Sequence, residues 1–415
     1  MLDIQKIRNQ KEGVEKALLK RMEKGSFSLD EIIKLDDERK ELIQKCDELK
    51  AERNKFSKTK PTPEIIAEMK KVGESIKELD EKLAKTEEEL KEKLSALPNM
   101  PADDVVAGGK ENNKVIRSFG EKPRLFGGQA KDHVELATSL GLIDYERAAK
   151  MSGAGFWCYT GDGALLEWAL LNYFVDFHKK NNYEFLLLPY LLNEESAYAS
   201  GHLPKFREDL FWTSDNLCLD ATSEMMLLNY HRDDLLENNK LPRKYYSYST
   251  CFRREAGSYR KEERGMVRGH QFNKIEMFQF TKPEDSWVAF DELIKNAEEL
   301  VNGLGLNFQT VQLAAEDASA AMAKTIDIEV WIPSMETFKE VSSVSNALDY
   351  QARRANIRYR AEGGNQFVHT LNGSGLATSR LIPAILEQFQ NEDGSVNVPE
   401  VLQGMVGKKK LEIKK

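Results

Sequence analysis

The sequence has few cysteines, and none of them are clustered. Its 415 residues include only four, at Cys46, Cys158, Cys218 and Cys251. None forms a CxxC pair, so the spacing indicates neither a zinc site nor a disulfide framework, and we expect reduced thiols. The six histidines likewise show no HExxH or other close metal-ligand spacing.

Long apolar runs are also absent. No stretch approaches the roughly 18 apolar residues that a membrane-spanning helix requires, and the opening residues, MLDIQKIRNQKEGVEKALLKR, lack the apolar region of a signal peptide. We expect a cytoplasmic protein that does not enter a membrane. The formal net charge of -8 argues against indiscriminate nucleic-acid binding through overall positive charge. Any contact with RNA must therefore be local.

A segment rich in glutamate, lysine and leucine runs from about 28 to 97 and contains a single glycine, Gly73. Apolar side chains recur seven residues apart in both halves, which predicts two long helices with coiled-coil seams. These residues are Leu35, Leu42, Leu49 and Phe56, then Met69, Ile76, Leu83, Leu90 and Leu97. Pro61 and Pro63 prevent one continuous helix. Periodicity alone leaves an intermolecular coiled coil open, but the short turn favours an intramolecular antiparallel arm.

Composition divides the chain into three parts. We predict an N-terminal domain at 1–100 that carries the arm, a linker rich in Gly, Asp and Asn at 101–114, and the main domain at 115–415. Strands and helices alternate irregularly in the main domain. This pattern predicts an α+β fold built on a largely antiparallel sheet.

The segment from Cys251 to Phe280, CFRREAGSYRKEERGMVRGHQFNKIEMFQF, reads as two strands around a charged loop. Strand alternation would put Arg253 and Glu255 on one face and Arg254 on the other. The returning strand would place its functional side chains on one face: Arg268, His270, Phe272 and Glu276. Arginines, a ring and carboxylates on one surface favour a planar, polyanionic, amine-bearing ligand. A solvated helix face is the alternative, and the interleaved apolar residues argue against it.

Three further segments carry candidate chemistry. The hydroxyl and carboxylate of Thr222-Ser223-Glu224 suit an ammonium group, and a helix N-cap at Thr222 is the alternative. The run FKEVSS, 338–343, contains Glu340 and Ser343, which an ideal strand would put on opposite faces. If both face one ligand, a bulge or a strand end near Ser343 is required. A buried salt bridge is the alternative for Glu340. The run LNGSGLATSR, 371–380, opens an amphipathic helix and ends in Arg380.

These segments together resemble the seryl-tRNA synthetases, a class II aminoacyl-tRNA synthetase family. The resemblance rests on FR-x-EAG, RG-x-x-R-x-HQF and a following glutamate, on Thr-x-Glu, on Glu-x-Ser-Ser and on the run ending in Arg380. It implies a class II antiparallel-sheet catalytic domain with an N-terminal antiparallel coiled-coil arm. It also implies a serine–tRNA ligase that forms seryl-adenylate from ATP and L-serine and charges tRNA(Ser), with charging of tRNA(Sec) left open.

The resemblance also implies residue roles. Arg253 and Arg380 would be catalytic, and Glu340 and Ser343 would support Mg²⁺. The implied ATP-binding residues are Arg253, Arg254, Glu255, Arg268, Phe272, Glu340, Val341, Ser342, Ser343 and Arg380. The implied serine-binding residues are Thr222, Ser223, Glu224, Arg253, Glu276, Asn372 and Ser374.

In this family the arm reaches tRNA, and positive charge does gather toward the turn of the arm here. The tRNA-binding candidates are Lys50, Arg53, Lys55, Lys58 and Lys60. The segment from Ala164 to His178 and the strand-like run after it resemble motif 1, which implies a homodimer. A plain core helix fits the same apolar face.

Some positions depart from the family's common wording. Arg254 stands where serine is usual, and Gly269 replaces a larger residue before His270. Other departures are at Ala315, Val344 and Ala347. Two rival functions are a ligase that loads a carrier protein, which would lack the arm, and a non-catalytic tRNA-binding paralogue, which would have lost the charged site residues. This chain has both the arm and those residues.

Overall fold

The structure is a computed structural model that describes residues 1–56, 62–123, 130–255 and 265–413. The chain falls into two compact units, Met1–Met100 and Pro101–Lys415. In the parts of the chain that are described, no helix is long and apolar enough to cross a membrane.

The first unit is helical. Its helices are α1 (Ile4–Asn9), α2 (Lys11–Leu18), α3 (Leu29–Phe56) and α4 (Pro63–Ala96). Helix α4 starts where Thr62 caps the backbone N–H of Ile65 and Pro63 occupies the first turn. At about 1.5 Å per residue, α3 and α4 extend roughly 40 and 50 Å. The heptad pattern is therefore realised as two long helices.

Helices α3 and α4 pack antiparallel. Lys93 pairs with Glu31 near one end, and Lys50 pairs with Asp80 toward the other. The predicted seam residues Leu35, Leu42, Ile76 and Leu90 are buried. The intramolecular arrangement, favoured over an intermolecular coiled coil, is therefore the one the chain adopts.

A buried carboxylate ties α1 to the start of α3. Asp36 lies between Arg8, Arg39 and Lys40. Burial opposes its ionisation, but hydrogen bonds from these three cations lower the pKa of Asp36 to about 2.

The second unit contains the strands β1 to β17 and the helices α5 to α13. The strands are β1 (Lys114–Phe119), β2 (Ile143–Asp144), β3 (Cys158–Tyr159), β4 (Glu184–Leu186), β5 (Leu191–Asn193), β6 (Leu217–Leu219), β7 (Leu235–Leu236), β8 (Arg243–Phe252), β9 (Gln271–Thr281), β10 (Phe308–Gln312), β11 (Lys324–Ile332), β12 (Thr337–Leu348), β13 (Arg358–Ala361), β14 (Gly364–Phe367), β15 (His369–Ala377), β16 (Val396–Asn397) and β17 (Lys410–Leu411). The helices are α5 (His133–Ser139), α6 (Tyr145–Ser152), α7 (Asp162–Lys180), α8 (Glu194–Ala199), α9 (Ser223–Asn229), α10 (Ser286–Gly303), α11 (Tyr350–Arg354), α12 (Thr378–Gln388) and α13 (Glu400–Val406).

Eight of these strands form one sheet, in the order β1-β10-β11-β12-β15-β9-β8-β4. Neighbouring strands are antiparallel except at one edge, where β4 pairs with β8 in parallel. The predicted α+β fold with a largely antiparallel sheet is confirmed.

Both faces of this sheet are covered. On one face, Met277 of β9 joins the main core with apolar side chains of α7, α10 and α12. On the other, the adjacent Phe278 packs with residues of α8, α9 and α11. Side chains alternate along a strand, so the even-numbered residues of β9 point toward the α9 and α11 side, where the candidate site lies.

Candidate active site

The hairpin of β8 and β9 carries the centre of the site. Its ladder runs from Arg243 opposite Phe280 to Phe252 opposite Gln271. Arg253, Glu255, Arg268 and His270 all lie beyond the strand ends. Strand alternation therefore does not orient these four, but most of the predicted grouping is found: Arg253, Glu255 and Arg268 line one cavity with Phe272, and Arg254 packs elsewhere, on Phe211. His270 does not line the described cavities. Residues 256–264 of the charged loop lie outside the described residues.

Arg253 stands where three neighbouring cavities meet and lines each of them. Its Nε donates to the carbonyl of Ala221 at 3.2 Å, and its guanidinium lies 5.2 Å from the centre of the Phe272 ring. Arg253 is thus anchored at one nitrogen while the rest of the guanidinium faces the cavities.

The first cavity combines a ring with several cations. It is lined by Arg253, Glu255, Arg268, Phe272, Lys274, Glu340 and Arg380, among others. Arg268 forms an ion pair with Glu255, and Arg380 donates to the carboxylate and, at 2.7 Å, to the carbonyl of Glu340. Burial opposes ionisation of Glu340, but the charge of Arg380 and its hydrogen bond hold the pKa of Glu340 below its usual value. A planar ring with guanidinium groups around it suits a purine nucleotide and its phosphates.

The expected bulge is present in β12. The register shifts between Glu340, opposite Glu329, and Ser342, opposite Ile328. Val341 is therefore the extra residue, and Glu340 and Ser343 both line the second cavity. The salt-bridge alternative for Glu340 also holds in part, since the same carboxylate pairs with Arg380.

The side chains of three residues predicted to bind ATP do not line these cavities. The Arg254 guanidinium lies over the Phe211 ring, 5.2 Å from its centre. Val341 is fully buried in the core. Ser342 is also buried, and its hydroxyl donates to the carbonyl of Ser374 at 2.6 Å.

The second cavity, of about 220 Å³, is polar. Asn372 Nδ2 donates to Glu276 Oε1 at 3.1 Å and to Glu224 Oε2 at 3.3 Å. Ser374 Oγ donates to Glu276 Oε2 at 3.3 Å. Thr222 lies at the N-cap position of α9, but its hydroxyl accepts from Lys274 Nζ at 2.6 Å and makes no cap bond. The cavity therefore presents the carboxylates of Glu224, Glu276 and Glu340, an amide and hydroxyls.

Burial and neighbouring charges shift the pKa values of two groups in this cavity, Glu224 and Lys274. Burial and the charge of Glu276 raise the pKa of Glu224 to about 7. Lys274 pairs with Glu276 at 2.6 Å; burial opposes its charge, yet the attraction of Glu276 leaves the pKa of Lys274 raised. A small ligand with an ammonium group would favour the ionised form of Glu224.

Ser223 does not reach this cavity. Its hydroxyl donates to Ser249 Oγ at 2.7 Å, and Ser249 donates to Asp220 Oδ2 at 2.8 Å. Burial raises the pKa of Asp220 to about 7. The chain from Ser223 to Asp220 braces the loop that carries Thr222 and Glu224.

Sequence reasoning missed several polar residues of this cavity region, among them Lys274 and Gln351. Lys274 lies two residues before Glu276 on the same strand, so the alternation that singled out Glu276 could have found it. Gln351 Nε2 donates to Glu224 Oε1, and no local sequence signal marks it, because α11 reaches the site only through the fold.

A third cavity, of about 450 Å³, opens beside the other two and was not predicted. His202 and Phe206 line both it and the second cavity. Leu210 and Asp209 complete its wall, with Arg253, Glu255 and Arg268 on the side toward the first cavity.

Comparison with known proteins agrees with this geometry. A family model described as the seryl-tRNA synthetase N-terminal domain matches residues 1–101, and one described as the tRNA synthetase class II core domain (G, H, P, S and T) matches residues 209–389. Serine--tRNA ligase 2 of Clostridium acetobutylicum is 52% identical over 99% of this chain and 100% of its own length. The chain belongs to the seryl-tRNA synthetase family. The resemblance stated from the sequence is confirmed.

Solved structures of this family extend the match to the whole fold. The seryl-tRNA synthetase of Pyrococcus horikoshii, complexed with ATP, superposes with a TM-score of 0.91 at 34% identity and covers 100% of both chains. The cytoplasmic serine-tRNA ligase of Naegleria fowleri, in complex with AMP, gives a TM-score of 0.89 at 30% identity, covering 100% of this chain and 99% of that one. The predicted class II α+β fold is confirmed, and the chain is an enzyme of the serine–tRNA ligase type.

Some of the basic side chains predicted to bind tRNA are exposed to solvent on the arm. Arg53 and Lys55 are exposed near the end of α3. Lys50 pairs with Asp80 at 3.2 Å across the helices. Lys58 and Lys60 lie outside the described residues.

Proposed function

We propose that this chain activates L-serine with ATP and transfers the seryl group to tRNA(Ser). The observation that carries the proposal is the position of Arg253 between a cavity suited to a nucleotide and a cavity suited to a small amino acid. One guanidinium can then contact the phosphate at the point where the two substrates react.

The first cavity supports an ATP site. Phe272 would stack on the adenine, and Glu255 would accept from its exocyclic amine. Glu255 pairs with Arg268 in the free protein, so ATP would take over both partners, with Arg268 turning to the phosphates. Arg253 would bind the α-phosphate and Arg380 the γ-phosphate.

The second cavity supports a serine site. Glu224 and Thr222 would receive the ammonium group, and Glu276 and Ser374 the side-chain hydroxyl, with Asn372 between the two carboxylates. Alanine lacks the hydroxyl and would not form the hydrogen bonds that serine makes with Glu276 and Ser374, a loss that can discriminate strongly. Threonine would have to be excluded by the shape of the cavity.

The reaction needs no protein nucleophile. An oxygen of the serine carboxylate attacks the α-phosphorus, the bond from that phosphorus to the bridging oxygen of pyrophosphate breaks, and seryl-adenylate forms. The terminal ribose hydroxyl of tRNA then attacks the carbonyl carbon, loses its proton and displaces AMP. Arg253 stabilises the negative charge on the α-phosphate, so positioning and electrostatics supply the catalysis.

The acidic edge of the first two cavities fits Mg²⁺. Within the described residues no group of three or more His, Cys, Asp and Glu side chains forms a metal cluster by itself. However, Asp327 lies opposite Ser343 and has a buried Oδ1 without a hydrogen-bond partner. Together with Glu340 and Ser343 it offers oxygen ligands that a hard cation completes with phosphate oxygens. These residues would hold Mg²⁺, which would neutralise the triphosphate charge.

Two surfaces support the partners. The exposed Arg53 and Lys55, with Lys50, suit a phosphate backbone along the arm. Helix α7 and the segment after it expose apolar side chains, including Trp168 at 57% and Leu187 at 71% exposure. Such a patch supports a homodimer through the motif 1 region.

Pyrophosphate exchange with each amino acid, followed by charging of tRNA, tests this function. We expect exchange that depends on serine and charging of tRNA(Ser); purified tRNA(Sec) in a parallel reaction tests whether it is also a substrate. Exchange that does not depend on serine, or exchange with no charging of any tRNA, contradicts the proposal. Exchange followed by loading of a carrier protein would favour the rival ligase.

A further inference from the structure

The segment Gly153–Trp157, which precedes β3, packs against the hairpin just where its ladder ends. His270, the residue before β9, donates its backbone N–H to the carbonyl of Gly155 at 2.9 Å. Gly155 and His270 do not line the cavities described above, but Gly269, the residue before His270, lines the first cavity.

Two glycines make this approach possible. A Cβ on Gly269 would lie 2.2 Å from Cζ3 of Trp157 and 2.9 Å from the carbonyl oxygen of Gly155. Gly269 does not have a positive φ, so the close approach, and not backbone conformation, requires the glycine. A Cβ on Gly155 would in turn lie 2.5 Å from Cδ2 of His270. Trp157 therefore fills the space beside Gly269, where the family commonly has a larger residue.

His270 holds the backbone of Arg253 from both sides. The carbonyl of His270 accepts from the Arg253 N–H at 2.9 Å, and Nδ1 of its ring lies 2.9 Å from the Arg253 carbonyl. A carbonyl only accepts, so Nδ1 carries the proton. Phe156 and Phe211 pack against the same ring, at 5.4 and 6.2 Å between ring centres.

Arg253 lies one residue beyond β8, so the contacts of His270 hold its backbone while Ala221 holds its side chain. We propose that His270 is a positioning residue for Arg253, and that Trp157 and Gly269 set its place. The inference rests on the proposed role of Arg253 in binding the α-phosphate. It assigns the segment Gly153–Trp157, which touches no substrate in the proposed reaction, to alignment of the ATP site.

Histidine variants test the ring contact. The amide nitrogen of asparagine can replace Nδ1 as a donor, whereas glutamine places its amide near the position of Nε2. We expect His270→Asn to keep kcat for serine-dependent pyrophosphate exchange within about threefold and His270→Gln to lower it at least about tenfold, since misplacing a reacting group by a small distance costs that much. Rates are taken per active site, counted from the adenylate burst. Equal loss in both variants contradicts the proposal.

A double-mutant cycle tests the tryptophan. Gly269→Ala should lower kcat/KM for ATP about tenfold in the otherwise unchanged protein and much less when Trp157→Leu has removed the clashing ring atoms. In the same variants, KM for serine and the melting temperature should stay close to their values in the unaltered protein. Gly404→Ala, at a helical glycine with nothing within 4 Å, is the matched control and should change nothing.

The outcomes separate this inference from the proposed function. An unchanged Gly269→Ala protein, or the same loss in both backgrounds, overturns the positioning role while serine-dependent exchange by the unaltered enzyme still stands. If the unaltered enzyme shows no such exchange, the proposed function fails. The dissociation constant for ATP, measured by calorimetry on the same four proteins of the cycle, then decides the inference independently: coupled weakening supports it and identical affinities overturn it.

Discussion

Among single residues, Arg253 lies between the first two cavities, and its guanidinium faces both of them from one anchored nitrogen. Its neighbour Arg254 has the same charge but packs on Phe211. The two adjacent arginines therefore differ because their side chains point in different directions, one toward the cavities and the other toward Phe211.

We expect Arg253→Lys to lower kcat for pyrophosphate exchange by roughly a thousandfold, because lysine lacks the planar fork that binds a phosphate through two nitrogens. Arg254→Ser is the matched control. It should change KM for ATP by less than about threefold, since its guanidinium does not line the described cavities. A large rise in that KM would show that Arg254 binds ATP, as the sequence resemblance implied.

The raised pKa of Glu224 predicts a pH dependence for serine. Burial and Glu276 raise this pKa to about 7, so the carboxyl takes up a proton as pH falls through that value and loses its attraction for ammonium. We expect KM for serine to increase about tenfold from pH 8 to pH 6. Glu224→Gln should raise KM at every pH and flatten the profile. A slope that survives in this variant assigns the titration to another group.

Among the elements, α7 connects the exposed apolar surface to the catalytic strands. Glu167 accepts from Asn273 of β9 at 2.7 Å and from Thr378 of α12 at 2.6 Å. His178, near the other end of α7, lies 3.0 Å from the carbonyl of Gly375 in β15. The helix is thus fastened to three elements of the site by buried polar contacts.

Glu167 makes the stability of this arrangement depend on pH. Burial raises its pKa to about 7, above the ordinary value of the unfolded chain. The unfolded state loses this proton first, so the free energy of unfolding falls as pH rises from about 4.5 to about 7, by about 3 kcal/mol for this group. Between pH 5 and pH 8, the free energy of unfolding of Glu167→Gln should decrease by about 3 kcal/mol less than that of the unaltered protein. Denaturant unfolding at the two pH values measures this difference. Identical decreases in both proteins contradict the assignment.

The arm can be shortened without disturbing its base. Cys46 and Asp80 face each other across α3 and α4, with Sγ and Oδ1 3.6 Å apart, so a short glycine-rich turn can replace residues 47–79. The base keeps Leu42, Leu90 and the Lys93–Glu31 pair. We expect serine-dependent pyrophosphate exchange to remain and charging of tRNA(Ser) to be lost.

A milder change isolates the charge of the arm. Arg53→Ala with Lys55→Ala should raise KM for tRNA several-fold and weaken its dependence on salt. The control is Lys77→Ala, which removes an exposed lysine from the other helix.

For the protein with the shortened arm, equal loss of exchange and charging would show that the arm supports the fold and does not bind the tRNA.

At the scale of the whole molecule, the exposed apolar patch on α7 and after β4 predicts self-association. Trp168→Glu combined with Leu187→Glu should give a monomer by sedimentation equilibrium and lower pyrophosphate exchange, because α7 also holds the catalytic strands. Ile66→Glu, at an exposed apolar residue of the arm, should leave the mass unchanged. An unaltered chain that is itself monomeric at micromolar concentration contradicts the dimer.

Patterns repeated over many residues were readable from the sequence. The seven-residue spacing from Leu35 to Leu97 predicted α3 and α4. The need for a bulge or strand end near Ser343 followed from strand alternation together with the shared role that the family resemblance implies for Glu340 and Ser343. The predicted grouping of Arg253 and Arg268 on one surface is found, but the ladder ends at Phe252, so packing and not strand alternation directs these two side chains. Gln351 and Asp327 could not be found at all, since each meets its partners across elements distant in the chain.

The sequence by itself determined which chemical groups this protein has for its substrates, and the helical arm and the family to which the chain belongs. These depend on residue type and short-range spacing, which are complete in the linear chain. Only the tertiary structure decided where those groups meet. Arg253 reaches both cavities, Ser223 turns away to Ser249, and Trp157 takes the space beside Gly269, because packing between distant segments sets the direction of each side chain.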